Sequence, residues 1–193
     1  QNDTLSFEGV PSPAAWKFDS DYFQKLSDRS FKFLPISGSY QVTANCVSSY
    51  FSAIALKDGA PAKLQSDGTG AIWAIGAGIG KPDVTSYEVG WTPGNGLCMP
   101  QLTAKKYQVT FTVGQTMKST GVNFKFFYIN AWDNGEFKGD AISTADNEFF
   151  ALSTSGNIEQ KKDTVLPDGA TFRFEVDVTK GNDKAVLSII RVS

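Results

Sequence analysis

Apolar residues in the second half of the chain recur at every other position. Tyr107, Val109, Phe111 and Val113 alternate with Gln108, Thr110 and Thr112, and Phe172, Phe174, Val176 and Val178 alternate with Arg173, Glu175 and Asp177. A period of two places successive side chains on opposite faces of an extended chain, so each segment predicts a strand with one core face. Similar runs, separated by Gly, Asn and Asp clusters that supply turns, predict strands over 97–102, 105–113, 122–129, 148–152, 170–178 and 184–192. Residues 71–76 (Ala-Ile-Trp-Ala-Ile-Gly) predict a short buried strand, and a glycine-rich loop follows it through Lys81 and Trp91 to Gly96.

In the first half the pattern predicts strands over 30–36, 39–46, 50–57 and 62–65. The exception is 19–26, where Asp19 or Ser20 can cap a short helix that buries Tyr22, Phe23 and Leu26. The turn Asp67-Gly68-Thr69-Gly70 marks a boundary. The expected fold is mainly β: an antiparallel β-sandwich over 71–193, immunoglobulin-like or carbohydrate-binding-module-like, preceded by a smaller β-rich lobe over 1–70 that carries the helix.

Composition narrows the chemistry. The chain holds 18 Lys and Arg against 20 Asp and Glu, dispersed without a basic stripe, which argues against nucleic acid as a partner. It has no histidine, so Ser-His-Asp and Cys-His nucleophile systems and imidazole-dependent metal sites are excluded. Cys46 and Cys98 form no zinc-type cluster and read as two buried free thiols, with a single disulfide as the alternative. No cofactor is implied. Gly76-Ala77-Gly78-Ile79-Gly80-Lys81 lacks the Ser or Thr and the following helix of a phosphate loop.

Two loops combine aromatic and polar side chains. One carries Lys81, Glu88, Trp91 and Asn95, and the other Trp132, Asp133, Asn134, Glu136, Phe137 and Lys138. Flat aromatic faces beside amide, carboxylate and amine groups suit the C–H faces and hydroxyls of a sugar. Trp132 serves either as an exposed stacking face or as a lid on the fold, Trp91 either as a stacking face or as an end plug, and Trp73 belongs to the core. Lys125 alternates with Phe124 and Phe126 and so takes the opposite face of its strand, where it either bonds a sugar hydroxyl or is a solvated strand residue, the reading that periodicity alone favours. Glu88, Glu136, Asp140 and Glu148 are the acids a glycosidase would need, but no motif fixes two of them at a defined separation. Asp133, Asn134, Asp140, Asp146, Asn147 and Glu148 do not follow the spacing of a calcium loop.

The order Ile72-Trp73-Ala74-Ile75-Gly76, Gly90-Trp91, Phe124-Lys125-Phe126-Phe127 and Trp132-Asp133-Asn134-Gly135-Glu136-Phe137 resembles the SusE/SusF-type glycan-binding modules, surface lipoproteins of Bacteroidetes polysaccharide-utilisation systems. The resemblance covers about 71–193. It implies an outer-membrane lipoprotein whose signal peptide and lipidated cysteine have been removed, with membrane contact only through that removed lipid anchor, that captures glycan for uptake alongside outer-membrane transporter components. It also implies that Trp91 and Lys125 face the sugar. The expectation is therefore non-catalytic glycan binding. Its rivals are a structural or protein-interaction lobe of a surface assembly and a glycoside hydrolase.

Overall fold

The computed structural model describes residues 1–9 and 15–193. Its strands in chain order are β1 (Thr4–Ser6), β2 (Lys17–Phe18), β3 (Phe23–Lys25), β4 (Ser30–Phe33), β5 (Ser39–Asn45), β6 (Tyr50–Lys57), β7 (Ala60–Pro61), β8 (Ile72–Gly80) and β9 (Glu88–Gly90). They continue with β10 (Leu97–Met99), β11 (Gln101–Thr103), β12 (Lys106–Thr112), β13 (Asn123–Phe127), β14 (Ile142–Thr144), β15 (Phe150–Leu152), β16 (Asn157–Gln160), β17 (Thr171–Asp177) and β18 (Ala185–Arg191).

These strands form four sheets. Their orders are β1-β4-β3, β2-β6-β5 with β7 on β6, β10-β8-β13-β16-β15 with β9 on β8, and β11-β12-β17-β18-β14. The mainly β expectation holds, but the sandwich does not: the four small sheets are arranged as a ring, in the manner of a four-bladed β-propeller. Alternation assigns each strand a buried face and says nothing of how many sheets share the core. Nor is the pairing wholly antiparallel, because β2 runs parallel to β6 and β14 parallel to β18.

Three segments depart from their expected local structure. Residues 19–26 form a turn that leads into β3 instead of a helix, since Phe23 pairs with Phe33 across β4 and the pairing satisfies backbone groups that a helix would have used internally. The glycine run after Gly76 continues β8 to Gly80 instead of opening a loop. A Cβ on Gly76 would stand 2.3 Å from Phe124 Cα, and one on Gly80 2.3 Å from the Tyr87 carbonyl oxygen. The glycines are there because neighbouring backbones approach too closely for any side chain. Residues 62–65 are not a strand either, although Ala62 and Leu64 are buried.

The larger core runs from Ala55, Ala62 and Leu64 through Trp73, Phe111 and Phe124 to Phe174 and Leu187. Phe124 meets Phe174 edge-on at 5.1 Å and Phe111 at 5.9 Å, so the sheets of β13, β17 and β12 share one aromatic centre. The smaller core gathers Trp16, Tyr22, Phe23, Phe31, Phe33 and Phe51. Full burial of an aromatic such as Phe31 or Phe51 is worth about 1.5–3 kcal/mol, enough to hold strands of two to four residues that backbone pairing alone would not.

A buried ion cluster joins the first part of the chain to the rest. Asp19 and Asp21 lie between β2 and β3, and Lys81 lies just after β8. Lys81 Nζ is 2.6 Å from Asp19 Oδ1 and 2.9 Å from Asp21 Oδ2, and no side chain of the three is more than 10% exposed. Asp21 also accepts hydrogen bonds from Gln108 Nε2 at 2.8 Å and from the Thr110 backbone N–H and hydroxyl, both at 2.7 Å. Burial pushes the Asp21 carboxyl up, but the Lys81 charge and these donors outweigh it and hold it below its ordinary value. Asp19 has fewer donors, and burial leaves it raised. For Lys81, burial opposes the charge, while the two carboxylates more than offset this and raise its pKa. Nearby, the Tyr22 hydroxyl donates to the Cys98 carbonyl at 3.0 Å.

Among the described residues no helix is long and apolar enough to cross a membrane.

Candidate functional site: two tryptophans over a polar strand face

Strand register decides which side chains share the face of the β8-β13-β16 sheet opposite Phe124 and Phe126, where Trp73, Ile75 and Phe127 are themselves buried. Phe124 and Phe126 point into the core, so Asn123, Lys125 and Phe127 lie on the other face. Directly opposite them stand Ala77, Ile75 and Trp73 of β8, and Glu159 and Asn157 of β16 oppose Asn123 and Lys125. Asn157 Nδ2 donates to Asn123 Oδ1 at 3.0 Å, which fixes both amides in one orientation.

The loop after β13 turns back over this face. Asn134 takes a left-handed φ of 54°, the Gly135 N–H donates to the Trp132 carbonyl at 3.0 Å, and the Phe137 N–H donates to the Phe126 carbonyl at 3.0 Å. Glu136 is thereby set against Phe127, and Trp132 meets the Phe127 ring edge-on at 5.5 Å. Trp91 enters from the other loop, held by the short 3-10 turn Pro93–Asn95. The Trp91 and Trp132 rings lie 6.4 Å apart with their planes inclined by 21°. Trp91 is 40% exposed and Trp132 48%, so neither plugs the end of the fold nor closes it as a lid.

Lys125 sits beneath this cover. The predicted face is right and the predicted solvation is not: Lys125 is buried, and its ammonium is ion-paired with the Glu136 carboxylate. The loop that carries Trp132 and Glu136 has taken the place of water there. Glu136 itself remains 32% exposed, so the pair presents a carboxylate at the surface and keeps the ammonium below it.

Trp91, Lys125, Trp132, Glu136 and the exposed Asn134 thus come together, while two other candidates are engaged elsewhere. Lys81 is locked in the buried cluster with Asp19 and Asp21. Glu88 accepts from Lys118 Nζ at 2.6 Å and from the Gly78 backbone N–H at 2.8 Å, and these bonds lower its pKa. Sequence reading missed Asn123 and Asn157. Asn123 begins the same alternation as Lys125 and was open to detection, whereas Asn157 is placed only by the pairing of β13 with β16.

Three further candidates have structural partners. Trp73 is buried and donates from Nε1 to the Ala62 carbonyl at 3.0 Å. Asp146 pairs with Lys161, and Asn147 Oδ1 accepts from the backbone N–H groups of Phe149 and Phe150. Both cysteines are free; Cys98 is buried as expected, but Cys46 is exposed, because it follows β5, an edge strand with both faces largely wet.

Fold and site together define a mainly β protein with paired, exposed tryptophans beside a sheet face that mixes buried apolar side chains with Asn123, Lys125 and Asn157. Residues 67–179 match the family model described as Domain of unknown function (DUF5121), and the chain belongs to that family. Residues 1–64 match the model described as Domain of unknown function (DUF5125). No curated protein and no solved structure matches the chain.

Proposed function

We propose that the chain binds a polysaccharide or oligosaccharide without cleaving it, on the surface made by Trp91, Trp132, Glu136, Asn123 and Asn157. The observation that carries this reading is the exposed, nearly parallel pair Trp91 and Trp132, brought from separate loops onto a face that also holds a carboxylate and two amides. Tryptophan faces take the C–H surface of a sugar ring, and the amides and carboxylate take its hydroxyls. Lys125 is a positioning residue that holds the Glu136 carboxylate in place.

A non-catalytic role is supported by one of the four candidate acids, Glu88. A glycosidase needs one carboxyl group kept protonated as general acid, with its pKa raised. Glu88 is instead held ionised by Lys118 and the Gly78 N–H. The resemblance to SusE/SusF-type modules supports a place at the outer-membrane surface, capturing glycan beside transporter components.

Affinity electrophoresis through gels containing soluble polysaccharides tests the reading. Retardation by at least one polysaccharide, lost in Trp91→Ala and Trp132→Ala, is the expected result. Unchanged retardation in both variants would remove the site. Release of reducing sugar from a retained polysaccharide would point to a hydrolase.

A further inference from the structure

A cleft of about 210 Å³ opens beside the loop that carries Trp91, and its walls come from both halves of the chain. In β5 and β6, Thr43 pairs with Ser52 and Asn45 with Tyr50, so these side chains share the sheet face opposite Phe51 and Ala53. Thr43, Asn45 and Ser52 line the cleft together with Ser48. From the other half come Tyr87, Gly96 and Leu97, which are the two ends of the loop whose middle holds Trp91. One wall of the cleft and Trp91 are therefore built on one continuous segment.

The lining suits a polar ligand, since Thr43, Asn45 and Ser52 bring hydroxyl and amide groups to one wall. Tyr87 is 37% exposed and gives the cleft an aromatic wall. Hydroxyls, an amide and the rings of Tyr50 and Tyr87 repeat the chemistry of the tryptophan surface on a smaller scale, with Asp19 and Lys81 of the buried ion cluster also reaching the wall. The volume falls below the roughly 300–1,000 Å³ of pockets that enclose a drug-sized ligand, so the cleft suits a single ring-sized polar unit.

The geometry points to a second saccharide subsite, walled by the β5–β6 face and Tyr87, that takes a neighbouring unit of the glycan lying on Trp91 and Trp132. This rests on the glycan-binding reading above. It gives the first 64 residues a task in recognition, because they supply the hydroxyl-bearing wall and thereby select for a chain long or branched enough to reach it.

The test uses the full chain and three probes, a soluble glucan, a xylan and a galactomannan, in affinity electrophoresis. Calorimetry follows with oligosaccharides of increasing length cut from whichever probe retards. Thr43→Val and Tyr87→Ala change exposed side chains and are combined in one variant. That variant should bind the longer oligosaccharides about tenfold more weakly, having lost a hydrogen bond and an aromatic contact, and bind the shortest one as the natural chain does. Trp132→Ala should weaken all lengths. Equal affinity of the cleft variant and the natural chain at every length would overturn the subsite and leave the tryptophan surface standing. Binding lost in the cleft variant but unchanged in Trp132→Ala would overturn the tryptophan surface and, with it, the order of the two subsites. No retardation by any of the three probes would overturn both.

Discussion

Lys125 is buried with its ammonium ion-paired to Glu136, whose own side chain is 32% exposed. The two partners are therefore not equivalent. Removing the carboxylate leaves a buried ammonium without its counter-charge, which costs about 1–3 kcal/mol or more. Removing the ammonium leaves a carboxylate that water can reach. Glu136→Ala should lower the urea unfolding free energy by about 1–3 kcal/mol, while Lys125→Met, which keeps the packed stem, should change it by less than about 1 kcal/mol. Equal losses would mean that the pair does not hold the loop in the way described.

The buried cluster of Asp19, Asp21 and Lys81 predicts how stability follows pH. The folded-state pKa of Asp21 is lowered, so its contribution is present above the ordinary carboxylate value of 3.8 and is lost as pH falls below it. Asp19 is raised and acts with the opposite sign, costing stability as pH rises past 3.8. Lys81 is raised, so its contribution is intact below 10.5 and fades as pH rises beyond that value. Asp21→Asn strips the better-bonded partner and should destabilise by about 3–5 kcal/mol at neutral pH. It should also flatten the fall in stability expected below pH 3.8, leaving the share contributed by other carboxylates held low, Glu88 and Asp177 among them. Thermal unfolding of both forms across the acid range checks this, and an Asp21→Asn curve parallel to that of the natural chain would contradict it.

Gly76 is required by the approach of β13. With φ at 148° and a would-be Cβ 2.3 Å from Phe124 Cα and 2.5 Å from the Asn123 carbonyl oxygen, Gly76→Ala must push β8 and β13 apart. The expected loss is about 3 kcal/mol or more, read from chemical unfolding. Gly94→Ala, in the loop where a Cβ meets nothing within 4 Å, should be close to neutral.

The thiols should separate cleanly. Cys46 is exposed, whereas Cys98 is buried and its thiol is pushed up to about 11, chiefly by burial. Alkylation at neutral pH followed by mass spectrometry should modify Cys46 in the folded chain and Cys98 only after denaturation. Modification of both at one rate would contradict the placement of Cys98.

Much of the local structure was legible in the sequence. The alternations around Phe111 and Phe174 name core faces that β12 and β17 bear out, and β6 spans the predicted 50–57. The arrangement of sheets was not legible, because β1, β2 and β3 are two or three residues long, too short for a period to declare itself, and each pairs with a strand distant in sequence or turned back on it. The glycines of β8 looked like a loop because the signal for close backbone approach and the signal for a turn are the same residue. Trp91 and Trp132 were legible as loop tryptophans. The burial of Lys125 was not, since alternation gives the face of a strand and not what later folds over it.

The central claim is that Trp91 and Trp132 together form a sugar-binding surface. Titration of the full chain with the polysaccharide that retards it most, following tryptophan fluorescence and heat together, tests it most directly. Saturable binding with a change in tryptophan emission is expected, weakened at least about tenfold in Trp132→Ala and in Trp91→Ala while both variants keep the unfolding midpoint of the natural chain. Undiminished affinity in both variants would contradict it.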